Sequence, residues 1–202
     1  MNIQRYIDKG VTKIGFLDIE SKTDSFKASS GYMISWVLKV VDLETKEEID
    51  YSMILDEAQN PLKNPKLDYD RFLLPELVRT MKECDLIVTH YGTWFDIPFI
   101  RTRCQMLGLE FIQHSDKIRF ADTWKMAKLA GSYKSNGLDF VSKTLGVKLE
   151  KTVVDYKEWT KAVWGDKKSL RYVMEHNIID VDVTKSVWEK LEATLPVPMR
   201  YY

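Results

Sequence analysis

Cysteine is scarce in this chain, and it has no long apolar run. Its 202 residues contain only Cys84 and Cys104, too few for a disulfide framework or a cysteine-based zinc site. No apolar run approaches the length that spans a membrane, and the first ten residues lack the apolar stretch of a signal peptide. We therefore expect a reduced, cytoplasmic protein with no membrane partner.

Neither sign of charge is in excess. Thirty Lys and Arg residues balance thirty Asp and Glu residues, so the overall charge gives no indication of a polyanionic partner. Hydrophobic residues make up 45% of the chain and aromatic residues 12%, which argues against disorder. This size and composition predict a single compact domain over residues 1–202, with no interdomain linker.

The apolar pattern changes from strand-like to helical along the chain. Three runs rich in β-branched and aromatic residues predict an antiparallel three-stranded meander. These runs are Lys13–Asp18, Gly31–Val41 and Glu48–Leu55. A polar connection is expected after Asp18. Further on, short strands at Leu86–Thr89 and Ile118–Ala121 alternate with helical segments, and a helical tail begins at Asp122. This order predicts a mixed sheet flanked by helices.

Two acids lie at the end of the first predicted strand, in the segment FLDIE. Because side chains alternate along a strand, Asp18 and Glu20 point to one face while Leu17 and Ile19 point to the other. Paired carboxylates repel each other unless a cation lies between them. Taken alone, the pair is consistent either with chance placement at a strand end or with a metal site.

A third acid, Asp96, occurs in the segment THYGTWFDIPFIRTRC, just before a helix that opens with Pro98. One interpretation is an N-cap, with the carboxylate accepting from the free N–H groups of that helix. The other is that Asp96 faces a sheet edge near the first strand, because Gly92 and Thr93 form a turn after a predicted strand.

The last acidic segment is YVMEHNIIDVDVTKSVWEKL. His176 and Asp180 are four residues apart on a predicted helix and therefore share a face, whereas Asp182 should point elsewhere. Such a pair is consistent either with a surface hydrogen bond or with a catalytic couple.

Together and in this order, the three segments resemble the DEDD superfamily of 3′→5′ exonucleases. FDIPFIRTR is similar to the second motif of proofreading and stand-alone exonucleases, and FADTWKMAKLA and GLDFVSKTLGV resemble the segment that follows it in these proteins. The resemblance covers the chain from Lys13 to about Leu191. It implies an α/β, ribonuclease-H-like fold with a mixed five-stranded sheet, in which the meander is joined by two parallel strands and flanked by helices.

The resemblance also implies a site. Four metal ligands would hold two Mg²⁺ or Mn²⁺ ions: Asp18, Glu20, Asp96 and Asp180. His176 would be the catalytic residue that orients the attacking water, and imidazole suits a general base near neutral pH. Here the chain departs from the family, whose subclasses space Tyr-x-x-x-Asp or His-x-x-x-x-Asp. This sequence has His-x-x-x-Asp, so His176 takes the place of Tyr in the Tyr-type pattern.

Substrate contacts are predicted near the second motif. Tyr91, Trp94 and Phe95 would stack on terminal bases, and Arg101 would contact phosphate. Core packing of the aromatic residues and an ordinary surface position for Arg101 are the alternatives. His90 is interpreted as structural.

The implied function is metal-dependent 3′→5′ exonucleolytic hydrolysis of nucleic acid, with single-stranded 3′ ends and DNA favoured. A separate polymerase or repair protein would be the protein partner. Three alternatives stay open at this point: an RNA-directed exonuclease, an endonuclease of the same fold, and a non-catalytic nucleic-acid-binding module.

Overall fold

A computed structural model describes residues 3–24, 27–55, 68–149, 153–195 and 200–201. The strands are β1 (Lys13–Asp24), β2 (Lys27–Asp42), β3 (Glu48–Ile54), β4 (Leu86–Thr89), β5 (Arg119–Asp122) and β6 (Arg200–Tyr201). The helices are α1 (Ile3–Ile7), α2 (Leu73–Met81), α3 (Asp96–Leu107), α4 (Thr123–Ala130), α5 (Leu138–Thr144), α6 (Tyr156–Val163) and α7 (Lys167–Glu192). Within these ranges, no helix combines the length and apolar character needed to cross a bilayer.

All six strands form one sheet in the order β3-β2-β1-β4-β5-β6. The first three strands pair antiparallel, as the predicted meander requires. β1 pairs parallel with β4, and β4 pairs parallel with β5. The predicted mixed sheet with two parallel strands is therefore confirmed, and the two-residue strand β6 adds an antiparallel edge that the sequence did not predict.

The hairpin of β1 and β2 is longer than predicted. The expected polar connection after Asp18 is wrong, because β1 continues to Asp24 and pairs with the beginning of β2. Polar side chains are compatible with this strand because backbone groups, not side chains, form the ladder. The register shifts between Glu20 and Ser21, a bulge-type irregularity directly after the second acid of FLDIE.

Helices cover both faces of the sheet. Leu17 and Ile19 belong to a core with α2, α3 and α6, which also contains the free thiols of Cys84 and Cys104. Phe16 faces the opposite core with α4, α5 and most of α7. Because strand side chains alternate, the residues two and four positions after Phe16 lie on the α7 side of the sheet.

Candidate active site

Strand β1 places Asp18 and Glu20 beside α7. Phe16, on the same face, packs edge-on against Trp188 of α7 with the ring centroids 6.4 Å apart. Leu17 and Ile19 are buried on the other face, so the two acids are left half-buried where the sheet meets α7. The alternation expected from FLDIE is thus present in the fold.

Helix α7 brings in Asp180. Two contacts with β2 on either side of this residue fix the helix. The Asn177 side-chain amide donates to the Ser35 hydroxyl at 3.1 Å, and the Lys39 ammonium pairs with Asp182 at 2.8 Å. Asp182 therefore points away from Asp180, as its spacing predicted, and Asp180 is buried against β1 with 7% of its surface exposed.

Asp18, Glu20 and Asp180 form one carboxylate cluster. A ligand oxygen from each lies within 4.8 Å of the others. Three carboxylates at this separation repel each other strongly, and a cation between them removes that cost. The donor set is oxygen only, which is the set that hard divalent cations prefer. The cluster therefore has the chemistry of a divalent-cation site.

Asp96 lies beside this cluster as the first residue of α3. The residue at the N-cap position is Phe95, and the Asp96 carboxylate instead accepts a hydrogen bond from the backbone N–H of Ile19 at 3.2 Å. Its carboxyl group is buried, and that burial raises its pKa to about 7. The charge of Asp122 adds to the rise, while hydrogen bonds from the backbone of Asp96 and Ile19 oppose it. Asp96 is therefore held towards β1, and burial favours its protonated form.

A cavity of about 490 Å³ opens over the cluster. Its lining residues are Asp18, Ile19, Glu20, His90, Tyr91, Trp94, Phe95, Asp96 and Asp180. The four predicted carboxylates thus border one space, together with the three predicted stacking residues. Trp94 is 62% exposed and Tyr91 45% exposed, so these two rings are available to a ligand and are not core side chains.

The loop between β4 and α3 carries the aromatic wall of the cavity. Asp122, at the end of β5, accepts from the backbone N–H groups of Tyr91 at 2.9 Å and Thr93 at 3.1 Å. Tyr91 has a positive φ of 65°, a left-handed conformation that such contacts help to hold. A Cβ at Gly92 would lie 2.3 Å from the Thr89 hydroxyl, so only glycine fits there. Contacts with Asp122 and Thr89 therefore determine the conformation of this loop.

His90 also lines the cavity, which the sequence interpretation missed. Its Nδ1 lies 2.8 Å from the Thr123 hydroxyl. His90 directly follows β4 and Asp122 ends β5, and the carboxyl ends of such neighbouring parallel strands form ligand-binding edges. The place of His90 directly after a predicted strand was the signal available in the sequence.

The other two predicted residues lie differently. His176 is buried one turn before Asp180, with its ring edge-on to Tyr172 at 4.3 Å, and it is not among the described residues that line the cavity. Arg101 lies over the ring of Phe111 at 5.5 Å and is also outside that lining. The roles assigned to both residues stay predictions.

Arg103, the arginine at the end of the FDIPFIRTR motif, is structural. It is fully buried and makes a bidentate ion pair with the equally buried Asp70, with N···O distances of 2.9 and 2.8 Å. Asp70 also accepts from the backbone N–H of Met33 at 2.9 Å. Through Asp70, this arginine therefore links α3 to β2 inside the core.

Known proteins agree with this fold. The chain matches the structure of the family B DNA polymerase from the hyperthermophilic archaeon Pyrobaculum calidifontis with a TM-score of 0.65 and 18% sequence identity. The match covers 90% of this chain and 24% of the polymerase chain. No curated protein matches the sequence. The family model of the RNase_H superfamily matches residues 15–192, and the chain therefore belongs to the RNase_H superfamily.

Proposed function

We propose that this protein is a metal-dependent 3′→5′ exonuclease that acts on single-stranded ends of nucleic acid. One observation carries the proposal: three carboxylates from β1 and α7 lie within 4.8 Å of one another at the floor of a cavity with exposed aromatic walls. The superfamily and the fold support a nuclease, and the order of the acidic segments supports the exonuclease class.

The donor chemistry supports two Mg²⁺ or Mn²⁺ ions. Asp18, Glu20 and Asp180 would hold one ion, and Asp96 would contribute to a second. When bound, the ions neutralise charge at the phosphodiester and acidify a water nucleophile. Asp96 must lose its proton to serve as a ligand, so ion binding and proton release are coupled at this residue.

The chain's own groups supply positioning and proton transfer. His176, one helical turn before Asp180, would accept the proton of the attacking water at a ring nitrogen. Tyr91, Trp94 and Phe95 would stack on terminal bases and hold the strand over the carboxylates. The cavity has the size of a small-molecule pocket, which suits a strand end better than the interior of a duplex.

DNA is the favoured substrate. This preference rests on the similarity of FDIPFIRTR to proofreading exonucleases and on the match to a DNA polymerase. A separate polymerase or repair protein is the proposed source of 3′ ends. Contacts to the 2′-hydroxyl would distinguish RNA from DNA, so both substrates belong in the test.

The test is a time course on single- and double-stranded DNA and RNA, labelled at either end, with Mg²⁺, Mn²⁺ or EDTA. We expect a 5′-labelled strand to shorten stepwise and a 3′-labelled strand to release labelled mononucleotide first, with no reaction in EDTA. Internal fragments from the earliest time points would identify an endonuclease instead. Nucleotide release that continues in EDTA would overturn the metal-dependent mechanism.

A further inference from the structure

The aromatic wall of the cavity continues onto helix α4. The ring of Tyr91, which lines the cavity, contacts Trp124 edge-on, with the centroids 5.4 Å apart. Trp124 is the second residue of α4 and is half-buried. Tyr91, Trp94 and Trp124 therefore form a continuous aromatic surface that begins at the carboxylates and leads away from them.

Two lysines of α4 lie on this surface. The Lys125 ammonium is 5.4 Å from the centre of the Trp94 ring, and the Lys128 ammonium is 5.3 Å from the centre of the Trp124 ring. Within the described parts of the chain, neither lysine pairs with a carboxylate. Lys39 and Lys185 on the sheet side, by contrast, each contact two or more acids. The charge of Lys125 and Lys128 is thus available to a ligand.

One buried carboxylate holds both halves of the surface. Oδ1 of Asp122 accepts from the backbone N–H of Tyr91 and from the backbone N–H of Trp124, both at 2.9 Å. Asp122 is therefore at once the N-cap of α4 and the anchor of the loop that carries Tyr91 and Trp94. These hydrogen bonds hold the backbone segments that carry the rings and the lysines in place before a ligand arrives, which reduces the cost of binding.

Rings beside unpaired ammonium groups suit one class of partner. Every nucleobase has a π-face that stacks on an aromatic ring, and the phosphates between bases attract lysine. An apolar protein segment would not need the two charges, and duplex DNA does not expose its base faces. The surface therefore fits a single strand of nucleic acid, bound without sequence preference.

We propose that Tyr91, Trp94, Trp124, Lys125 and Lys128 form a single-strand binding track that holds the nucleotides next to the cleaved end. The inference rests on the proposed function, because the track leads to the carboxylate cluster. It adds α4 to the substrate contacts and predicts that affinity depends on strand length.

The test measures binding of a fluorescent single-stranded oligonucleotide of about 12 nucleotides in EDTA. Lys125→Ala/Lys128→Ala is compared with Lys157→Ala/Lys190→Ala, which removes two exposed lysines outside the cavity and the track. Titrations between about 50 and 200 mM salt give the dependence of log K on log salt for each protein. Trp94→Ala, whose ring is largely exposed, tests stacking without loss of charge.

We expect the slope of the Lys125/Lys128 variant to be shallower by about 1.4, since each phosphate contact of a single strand contributes about 0.7. The Lys157/Lys190 variant should keep the wild-type slope. Trp94→Ala should lower affinity about fivefold or more at an unchanged slope. An unchanged slope in the Lys125/Lys128 variant overturns the track, and so does wild-type protein that binds no strand.

Nucleotide release by the wild type in Mg²⁺ separates this inference from the proposed function. If the wild type releases nucleotide but the Lys125/Lys128 variant binds with an unchanged slope, the track is overturned and the exonuclease proposal stands. If the variant shows the predicted change of slope but the wild type releases no nucleotide, the exonuclease proposal is overturned and the surface is one that only binds a strand.

Discussion

The carboxylate of Asp96 accepts a hydrogen bond from the backbone N–H of Ile19, at 3.2 Å. Ile19 is the residue between Asp18 and Glu20, so this contact joins the beginning of α3 to the acidic end of β1. The Ile19 side chain is buried in the core that it shares with Leu17, on the other face of the sheet from the two acids. A buried hydrogen bond thus joins the second acidic segment to the first.

The buried position of Asp96 predicts a pH dependence of stability in metal-free protein. Burial raises the pKa of Asp96 to about 7, above the value of about 3.9 for an unfolded chain. At this residue the folded state therefore binds more protons than the unfolded state between these values, and the contribution of Asp96 to the free energy of unfolding should fall as pH rises through about 4 to 7. Urea unfolding in EDTA at several pH values measures this.

Asp96→Asn is the matching variant, since its amide oxygen can still accept from Ile19. We expect it to lose most of the decline in stability between about pH 4 and 7. An identical decline in the variant and the wild type would show that another group is responsible. Added Mg²⁺ should stabilise the wild type more at the upper end of this range, because ion binding requires the ionised carboxylate.

Asp122 should support both stability and substrate binding. The Asp122 carboxylate accepts from three backbone N–H groups. Asp122→Asn removes its charge and one of its two acceptor oxygens, which should cost about 1–3 kcal/mol of unfolding free energy. We also expect KM to rise, because Tyr91 and Trp94 lose their anchor. Thermal unfolding and steady-state nucleotide release measure the two effects.

Asp155→Asn is the control for this prediction. Asp155 caps α6 by accepting from the backbone N–H groups of Lys157 and Glu158, away from the cavity lining. It should lose stability through the same chemistry and leave KM unchanged. Equal changes of KM in both variants would mean that the Asp122 effect is only a general loss of stability.

The two histidines should differ in their effect on rate. If His176 accepts the proton of the attacking water, His176→Gln should lower kcat by about 10²-fold or more with little change of KM. His90→Gln should act mainly on KM, since His90 lines the cavity. Tyr172→Phe keeps the ring that packs on His176 and is the control. A larger loss of kcat in His90→Gln than in His176→Gln would assign proton transfer to His90.

Substitution of Arg103 should lower the free energy of unfolding far more than substitution of Arg101. Arg103→Met leaves Asp70 buried without its partner, which should cost about 3–5 kcal/mol of unfolding free energy. Arg101→Met removes a cation–π contact with Phe111 and should cost about 1 kcal/mol or less. Urea unfolding of the two variants decides this, and a larger loss in Arg101→Met would reverse the assignment. The Arg101 variant also tests the predicted phosphate contact through its KM.

Local periodicity accounts for the part of the site that the sequence could predict. Asp18 and Glu20 share a face because strand side chains alternate, and Asp182 points away from Asp180 because a helix turns about 100° per residue. These relations need no knowledge of the tertiary structure. The mixed sheet followed from the change between strand-like and helical runs.

Tertiary neighbours account for what the sequence did not predict. His90 and Asp122 gain their positions only because β4 and β5 are adjacent and parallel, an order that no local pattern specifies. Asp96 at a helix start resembles an N-cap, and its carboxylate turns to the backbone N–H of Ile19 because the beginning of α3 lies beside that residue of β1. The continuation of β1 beyond Asp18 was missed because its side chains are polar, whereas its stability comes from pairing with β2.

The decisive measurement is single-turnover release of nucleotide from a 5′-labelled single strand in Mg²⁺ by wild type, Asp18→Asn and Asp139→Asn. Asp139 is an exposed acid that pairs with Lys143 on α5 and serves as the matched control. If Asp18, Glu20 and Asp180 hold the ions, Asp18→Asn should lose at least about 10²-fold in rate and keep its thermal stability, while Asp139→Asn stays at the wild-type rate. An Asp18→Asn protein that shortens the strand as fast as the wild type would contradict the carboxylate-cluster mechanism.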